Sequence, residues 1–446
     1  MSKPFIWGAA AASYQIEGKT TDDPRGQCVW DMFCNQPGKV RHGDNGNKAC
    51  QHIINMPQDV ELMTSIGLDA YRFSISWPRV LPNGTGTVSN IGLEFYDRLV
   101  DELLEHDIAP WATLFHWDYP YELFLKGGWL HPDSSDWFAD YAQVIVDRLG
   151  DRIKHWMTLN EPQCFIHFGH QTGYHAPGLQ LGIQEVLLAA HNCLLAHGKS
   201  AQILRNNCKN AVIGAAPVGR ISVPEQRTPE NIEAARQDTF AIQNRDCWNN
   251  TWFADPMFLG KYPEDGLRLH EAYLPRITDA DMATIAQPLD FYGVNIYFAD
   301  TVAMASDGSA HIITPSTGSR YTSMDWLVSS DCLYWASKFL NERYNKPIII
   351  TENGLANTDW KNSEGKVEDP QRIIYLQEHI AHLLKAKAEG VDIDGYFCWS
   401  IMDNFEWALG YDRRFGLIHV DYETQQRTLK QSAHWYRDHI KKYKGQ

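Results

Sequence analysis

The segment PIIITENG at positions 347–354 joins a continuous apolar run to a polar end. Ile348, Ile349 and Ile350 are β-branched residues in succession, which indicates a strand buried on both faces. Strands of this kind are typical of parallel sheets that helices cover on both sides. Glu352 then lies where the predicted strand ends, the edge at which parallel sheets bind their ligands.

Similar segments recur along the chain and alternate with amphipathic ones. The predicted strands are 5–7, 70–75, 109–115, 153–159, 211–216, 291–296, 347–351 and 395–399. Helical periodicity is clearest at 58–66, 93–105 and 184–204. Eight strands alternating with helical segments predict one α/β domain over residues 1–446, a single (β/α)8 barrel with extended βα loops. A doubly wound sheet would have GxGxxG in its first βα turn, and WGAAA at 7–11 does not match.

Composition excludes several classes of function. The 446 residues include 40 basic and 55 acidic side chains, a net charge of −15, which argues against a nucleic-acid partner. No apolar run approaches the roughly 18 residues of a membrane span, so no membrane partner is expected. Nine cysteines without a CxxC pair indicate reduced thiols and a cytoplasmic protein. The alternative, a signal peptide at 5–12, is disfavoured because a single positive charge precedes it.

Seven of the eight predicted strands end near a side chain capable of chemistry, and only 211–216 does not. The set comprises Gln15, Arg72, His116, Asn160, Glu161, Asn295, Tyr297, Glu352, Asn353 and Trp399. Two facing carboxylates can cleave an acetal, because one protonates the departing oxygen while the other stabilises or attacks the anomeric carbon. The surrounding amides, imidazole and indole suit a sugar, whose hydroxyls need donors and acceptors and whose ring needs a flat apolar wall.

Six motifs resemble those of glycoside hydrolase family 1, the β-glucosidase family. They are FIWGA at 5–9, YQIEG at 14–18, YRFSISW at 71–77, TLNEP at 158–162, ITENG at 350–354 and NFEW at 404–407. They occur in order over nearly the whole chain. The resemblance implies a retaining, exo-acting β-glucosidase that takes small β-glycosides such as cellobiose, cello-oligosaccharides and aryl glucosides. Galactosides, fucosides and transfer to sugar acceptors stay open, as do a monomer and a homo-oligomer.

The resemblance also implies a role for each site residue. Glu161 is the expected acid/base and needs a raised pKa, whereas Glu352 is the expected nucleophile and must stay ionised. Arg72, Asn295 and Tyr297 are expected to support this pair. The expected sugar-binding residues are Gln15, His116, Asn160, Trp399, Glu406 and Trp407, and Trp326 is a candidate for the leaving-group side. The acidic Glu406 favours a sugar without a phosphate.

Structural alternatives exist for several of these residues. Arg72 could belong to a structural ion pair, and His116 could be a core histidine. The paired histidines at 167 and 170 and at 379 and 382 lack a carboxylate ligand cluster, so we expect no metal and no cofactor. Gln163 stands where the family usually has an aromatic residue, so we expect the leaving-group side to favour oligosaccharides or hydrophilic leaving groups. A barrel that merely binds glycans is the rival function, but it predicts loss of a catalytic glutamate, and both are present.

Overall fold

A computed structural model describes residues 4–20 and 23–445 of the chain. Within these ranges eight parallel strands pair in chain order and close into a barrel, with β8 pairing back to β1. The strands are β1 Ile6–Ala10, β2 Ala70–Ser74, β3 Ala109–Phe115, β4 His155–Asn160, β5 Val212–Ala216, β6 Phe291–Asn295, β7 Ile348–Asn353 and β8 Ile393–Trp399. The predicted (β/α)8 barrel is therefore confirmed, and each strand lies within a few residues of its predicted position.

Long helices follow the strands and cover the outside of the barrel. They are His52–Ile66, Asn90–Glu105, Ser134–Leu149, Ile183–Asn207, Pro229–Phe240, Cys332–Tyr344, Pro370–Ala388 and Gln431–Lys444. Shorter α-helices are Ser13–Ile16, Val29–Cys34, Trp77–Val80, Tyr121–Leu125, Thr251–Leu259, Glu264–His270 and Asp279–Ile285, and short 3₁₀ turns are Arg41–Gly43, Gly128–Leu130, Glu271–Tyr273 and Trp407–Leu409. Among the described residues, no helix combines the length and apolar character needed to cross a membrane.

The strands are buried on both faces, as the apolar runs predicted. Ile348, Ile349 and Ile350 are exposed by at most 2%, because alternate side chains point into the barrel and towards the covering helices. Gly67 ends the helix His52–Ile66 with φ of 79°, a left-handed conformation that glycine adopts without a steric penalty. All nine cysteines are buried and unpaired.

Irregular structure at the carboxyl ends of the strands shapes the active face. A π-helix, Cys164–Gln171, follows β4. The loops after β5 and β6 together build a three-stranded sheet from Ile221–Pro224, Ala299–Met304 and Ala310–Ile312. A two-stranded sheet, Ile418–Val420 with Arg427–Leu429, follows β8.

A buried ion network supports the loop after β8. Lys430 donates from Nζ to Asp359 at 2.5 Å and to Asp403 at 2.6 Å. Arg414 donates to the other carboxylate oxygen of Asp403 at 2.6 Å, and Arg372 pairs with Asp359 at 2.7 Å. Paired charges are required here because an isolated buried charge is very costly. Asp403 lies three residues before Glu406, so the network fixes the backbone that carries this carboxylate.

Candidate active site

A cavity of about 490 Å³ opens at the carboxyl ends of the barrel strands. Nine of the twelve predicted site residues line it: His116, Glu161, Asn295, Tyr297, Trp326, Glu352, Trp399, Glu406 and Trp407. The other three, Gln15, Arg72 and Asn160, are buried directly behind this lining and hold it by hydrogen bonds. The barrel therefore brings together residues separated by almost 400 positions in the chain.

Glu161 occupies the first position after β4. Its backbone N–H donates to the carbonyl of Ala216 at 2.8 Å, and its φ of 44° turns the chain sharply out of the strand. The carboxyl accepts from Asn295 Nδ2 at Oε1, at 2.9 Å, and from the thiol of Cys164 at Oε2, at 3.0 Å. Burial, followed by repulsion from the Glu352 carboxylate, raises the pKa of Glu161 to about 7.

Glu352 lies near the end of β7, in register with Asn295 of β6. Arg72 Nη1 donates to its Oε1 at 2.5 Å, and the hydroxyl of Tyr297 donates to its Oε2 at 2.5 Å. Burial raises the pKa of Glu352 above the ordinary carboxyl value, but Arg72 opposes this rise most strongly and the Tyr297 hydrogen bond opposes it next. Two charge-assisted contacts therefore favour its carboxylate form.

A continuous chain of hydrogen bonds connects the two carboxyls through three strands. Arg72 Nη2 donates to Asn160 Oδ1 at 2.6 Å, and the same oxygen accepts from Asn295 Nδ2 at 2.9 Å. Asn295 in turn contacts Glu161, and its Oδ1 accepts from the hydroxyl of Thr351 at 2.6 Å. Since each amide is held at both ends, the relative orientation of the carboxyls is fixed before a substrate binds.

Gln15, Glu406 and His116 supply the remaining polar groups of the site. Gln15 donates from Nε2 to Asn404 at 3.0 Å and to the Phe405 carbonyl at 2.8 Å, while its buried Oε1 has no partner among the described residues. Burial, and then the carboxylates of the reacting pair, raise the pKa of Glu406 to about 8. Burial and the Arg72 cation lower the pKa of His116 well below its usual value, so its imidazole is neutral.

Aromatic rings form the apolar walls. Trp407 packs against Trp117 with ring centroids 4.6 Å apart, and the ring of Trp399 is stacked with that of His116 at 5.9 Å. Trp326 lies beside Tyr297 at 5.1 Å. Flat apolar faces next to hydrogen-bonding groups are the combination that a sugar ring requires.

Gln163 does not lie where the sequence suggested, and Cys164 belongs to the site although it was not among the expected residues. Gln163 is fully buried and does not line the cavity; it accepts from the backbone of Val218 at 3.2 Å and thereby braces the loop that does. The polar side chain of Gln163 therefore does not contact the leaving group directly. Cys164 was missed, although its position three residues after Glu161 would place the two together on one helical turn.

The arrangement can perform acid/base and nucleophilic chemistry on one bond. A carboxyl with a pKa near neutrality can donate and later accept a proton, while a carboxylate paired with a cation can attack an electrophilic carbon. Together with the aromatic and hydroxyl-binding walls, these groups define the class of barrel enzymes that cleave glycosidic bonds.

Known proteins of this class match the chain over its full length. The profile of Glycosyl hydrolase family 1 matches residues 1–445. The 1,4-beta-D-glucan glucohydrolase of Thermotoga neapolitana is 43% identical over 438 residues, covering 98% of this chain and 97% of that protein. Beta-glucosidase A of Thermotoga maritima is 42% identical, with 98% and 97% covered.

Solved structures agree with the sequence matches. The beta-glucosidase from Thermotoga maritima in complex with methyl acetic acid-substituted glucoimidazole superimposes with a TM-score of 0.90 at 40% identity, covering 99% of this chain and 98% of that one. The chain belongs to glycoside hydrolase family 1, and the resemblance carried by the six motifs is confirmed.

Proposed function

We propose that the protein is a retaining, exo-acting β-glucosidase that removes terminal non-reducing β-D-glucosyl residues from cellobiose, cello-oligosaccharides and aryl β-glucosides. One observation carries the proposal: a carboxyl with a pKa of about 7, Glu161, and a carboxyl paired with a buried arginine, Glu352, share one hydrogen-bonded network at the wall of a cavity. Family membership adds independent support.

In the first step, Glu352 is the nucleophile. Its carboxylate oxygen forms a bond to the anomeric carbon, and the glycosidic C–O bond breaks with its electron pair passing to the leaving oxygen. Glu161 transfers its proton to that oxygen, so the leaving group departs as a neutral alcohol. Tyr297 and Arg72 hold the attacking carboxylate in place through contacts of 2.5 Å each.

In the second step, the roles of Glu161 reverse. Esterification has removed the negative charge of Glu352, so the repulsion that raised the pKa of Glu161 is gone and Glu161 is ionised. It takes a proton from water while the water oxygen attacks the anomeric carbon, and Glu352 leaves as a carboxylate. Two displacements at one carbon retain its configuration. A sugar hydroxyl in place of water gives transglycosylation.

The sugar ring is bound by the other polar groups of the site. Gln15 Oε1 accepts from a hydroxyl and the neutral His116 contributes a further polar contact, while Asn160 holds the His116 ring from behind, with Nδ2 3.1 Å from its Nε2. Glu406, with a pKa of about 8, is able both to donate and to accept. A residue with both capacities tolerates either orientation of a hydroxyl, so β-galactosides and β-fucosides are secondary substrates.

The outer part of the cavity receives the leaving group. Trp326 supplies an aromatic face there, beside Tyr297 and Phe298. Arg220 and Asp300 line the same cavity with charged groups, and Ser323 adds a hydroxyl. This mixture of one aromatic face and several polar groups suits a second sugar as well as an aryl group.

Replacement of Glu352 tests the proposal. Glu352→Gly should lose hydrolysis of phenyl β-D-glucoside by about 10⁴-fold or more, because the covalent step is abolished. Azide should restore turnover of an activated nitrophenyl glucoside and give a product of inverted configuration. Glu364→Gly, at an exposed surface carboxylate, is the matched control and should keep full activity. Parent-like turnover in Glu352→Gly would contradict the proposal.

The cytoplasmic location is likewise a proposal. Nine buried, unpaired thiols suit a reducing compartment. Cell fractionation with activity measured in each fraction checks it, and activity confined to the medium would be contrary to it.

A further inference from the structure

The Glu161 carboxyl has an unusual neighbour in the thiol of Cys164. Cys164 begins the π-helix Cys164–Gln171, and its Sγ lies 3.0 Å from Glu161 Oε2. Its side chain is buried, with 5% of the residue exposed. The other carboxylate oxygen is held by Asn295, so a donor contacts each oxygen of this one carboxyl.

The thiol is a permanent donor in this position. Burial raises the pKa of Cys164 well above its usual value, and the neighbouring Glu161 carboxylate raises it further, so the sulfur keeps its hydrogen over the working pH range. A donor that contacts a carboxyl oxygen stabilises the carboxylate more than the neutral acid.

Of the remaining groups that face Glu161, some favour its ionised form and others its neutral form. The carboxylate of Glu352 disfavours a second negative charge, and Glu406 is a further acidic neighbour. The Arg72 cation favours the charge, as does the Asn295 amide, and the Tyr297 hydroxyl stays protonated because burial raises its pKa well above the usual value. Cys164 is the member of this set that contacts Oε2.

We propose that Cys164 is a positioning residue for Glu161, whose thiol holds Oε2 and favours the carboxylate form, so that one carboxyl can both release and regain a proton in each cycle. The inference rests on the proposed function. Without the thiol, burial and the acidic neighbours would make Glu161 a weaker acid in the first step. The thiol is not itself a proton carrier, and it touches no reacting atom.

The test compares Cys164→Ala, Cys164→Ser and a control, Cys193→Ala, which removes an equally buried thiol from the helix Ile183–Asn207. The measurement is kcat/KM as a function of pH for phenyl β-D-glucoside, whose leaving group needs a proton. Its alkaline limb reports the free-enzyme pKa of the acid. Dinitrophenyl β-D-glucoside, whose leaving group departs without a proton, reports the nucleophilic step alone.

Loss of the donor should move the alkaline limb of Cys164→Ala upward by about half a pH unit to one unit, the effect of one weak donor on a buried carboxylate. Cys164→Ser keeps a hydroxyl donor, so its limb should stay at or below that of the parent, and Cys193→Ala should not move it. With the dinitrophenyl substrate, Cys164→Ala should stay within about threefold of the parent.

The inference is overturned if the limb of Cys164→Ala coincides with those of the parent and Cys193→Ala, or if both substrates lose activity equally at every pH, as a packing defect would cause. If Cys164→Ala does not fold, an upward shift in Cys164→Ser overturns it. Failure of the proposed function is recognised separately, because Glu161→Gln would then cleave phenyl β-D-glucoside as fast as the parent does.

Discussion

Replacing Arg72 by methionine removes the cation that contacts the proposed nucleophile. Arg72 is 1% exposed and donates to Glu352 at 2.5 Å, to the Thr351 carbonyl at 3.1 Å and to Asn160 at 2.6 Å. Methionine has a similar length and fills the space without charge. The Glu352 carboxyl would then be buried with the Tyr297 hydroxyl but without a counter-charge.

The expected rise in the pKa of Glu352 follows from the short distance between its carboxylate and Arg72. An opposite charge this close lowers a carboxyl pKa by about 1–3 units, so its loss raises the pKa of Glu352 by the same amount. On the acid limb of the pH profile the ionised fraction, and with it kcat/KM, should therefore fall by about 10- to 10³-fold. The acid limb of the pH profile should move to higher pH, because Glu352 has to be ionised to attack, while the alkaline limb set by Glu161 limits the other side. The profile should therefore become narrow as well as low.

The assay is kcat/KM for phenyl β-D-glucoside between pH 4 and pH 9, with thermal unfolding followed in parallel, since breaking a buried ion pair costs about 3–5 kcal/mol. Arg79→Met is the matched control. Arg79 is equally buried and pairs with Glu17 at 2.8 Å and Asp23 at 2.6 Å away from the cavity, so its loss should lower stability without moving the acid limb. An Arg72→Met profile with the parent's acid limb would refute the reasoning.

Two further predictions concern other walls of the cavity. Trp326→Ala should lower kcat/KM for cellobiose by about tenfold or less, the value of one aromatic contact. It should change kcat/KM little for a methyl glucoside, whose leaving group is too small to reach Trp326. Equal losses with the two substrates would contradict a leaving-group role. Glu406→Gln should change how the free energy of unfolding depends on pH. Burial raises the pKa of Glu406 in the folded protein to about 8. The stability that the protonated carboxyl contributes is therefore present below its ordinary pKa and is lost as the pH rises towards 8. The stability of the variant relative to the parent should therefore rise by about 3 kcal/mol between pH 5 and pH 8 in denaturant unfolding. A constant difference between the two proteins would argue against the raised pKa.

The sequence was most informative where burial imposes a pattern. The run Ile348–Ile350 and its seven counterparts specified the strands because residues buried on both faces must be apolar. The ends were less well placed: β1 extends to Ala10 and β7 to Asn353, since alanine has little strand preference and polar residues at a strand end look like loop.

Site residues were predictable where a motif fixes them and unpredictable where local backbone geometry does. The TLNEP and ITENG motifs pointed to Glu161 and Glu352, which the structure places in one network. The direction of Gln163 and the contact of Cys164 depend on the φ of 44° at Glu161 and on the π-helix that follows. The direction of Gln163 has no signature in residue spacing. The three-residue spacing of Glu161 and Cys164 indicates that the two residues are near each other, but not that the thiol contacts Oε2.

The three-stranded sheet built by the loops after β5 and β6 has a consequence for how the enzyme can diversify. It pairs Ile221–Pro224 with Ala299–Met304 through its own backbone hydrogen bonds, outside the closed barrel. Changes in this accessory sheet can reshape the mouth of the pocket around Asp300 while the strands bearing both carboxyls keep their register. New leaving-group preferences are thus open to evolution, or to an engineer grafting loops, without rebuilding the chemical machinery beneath.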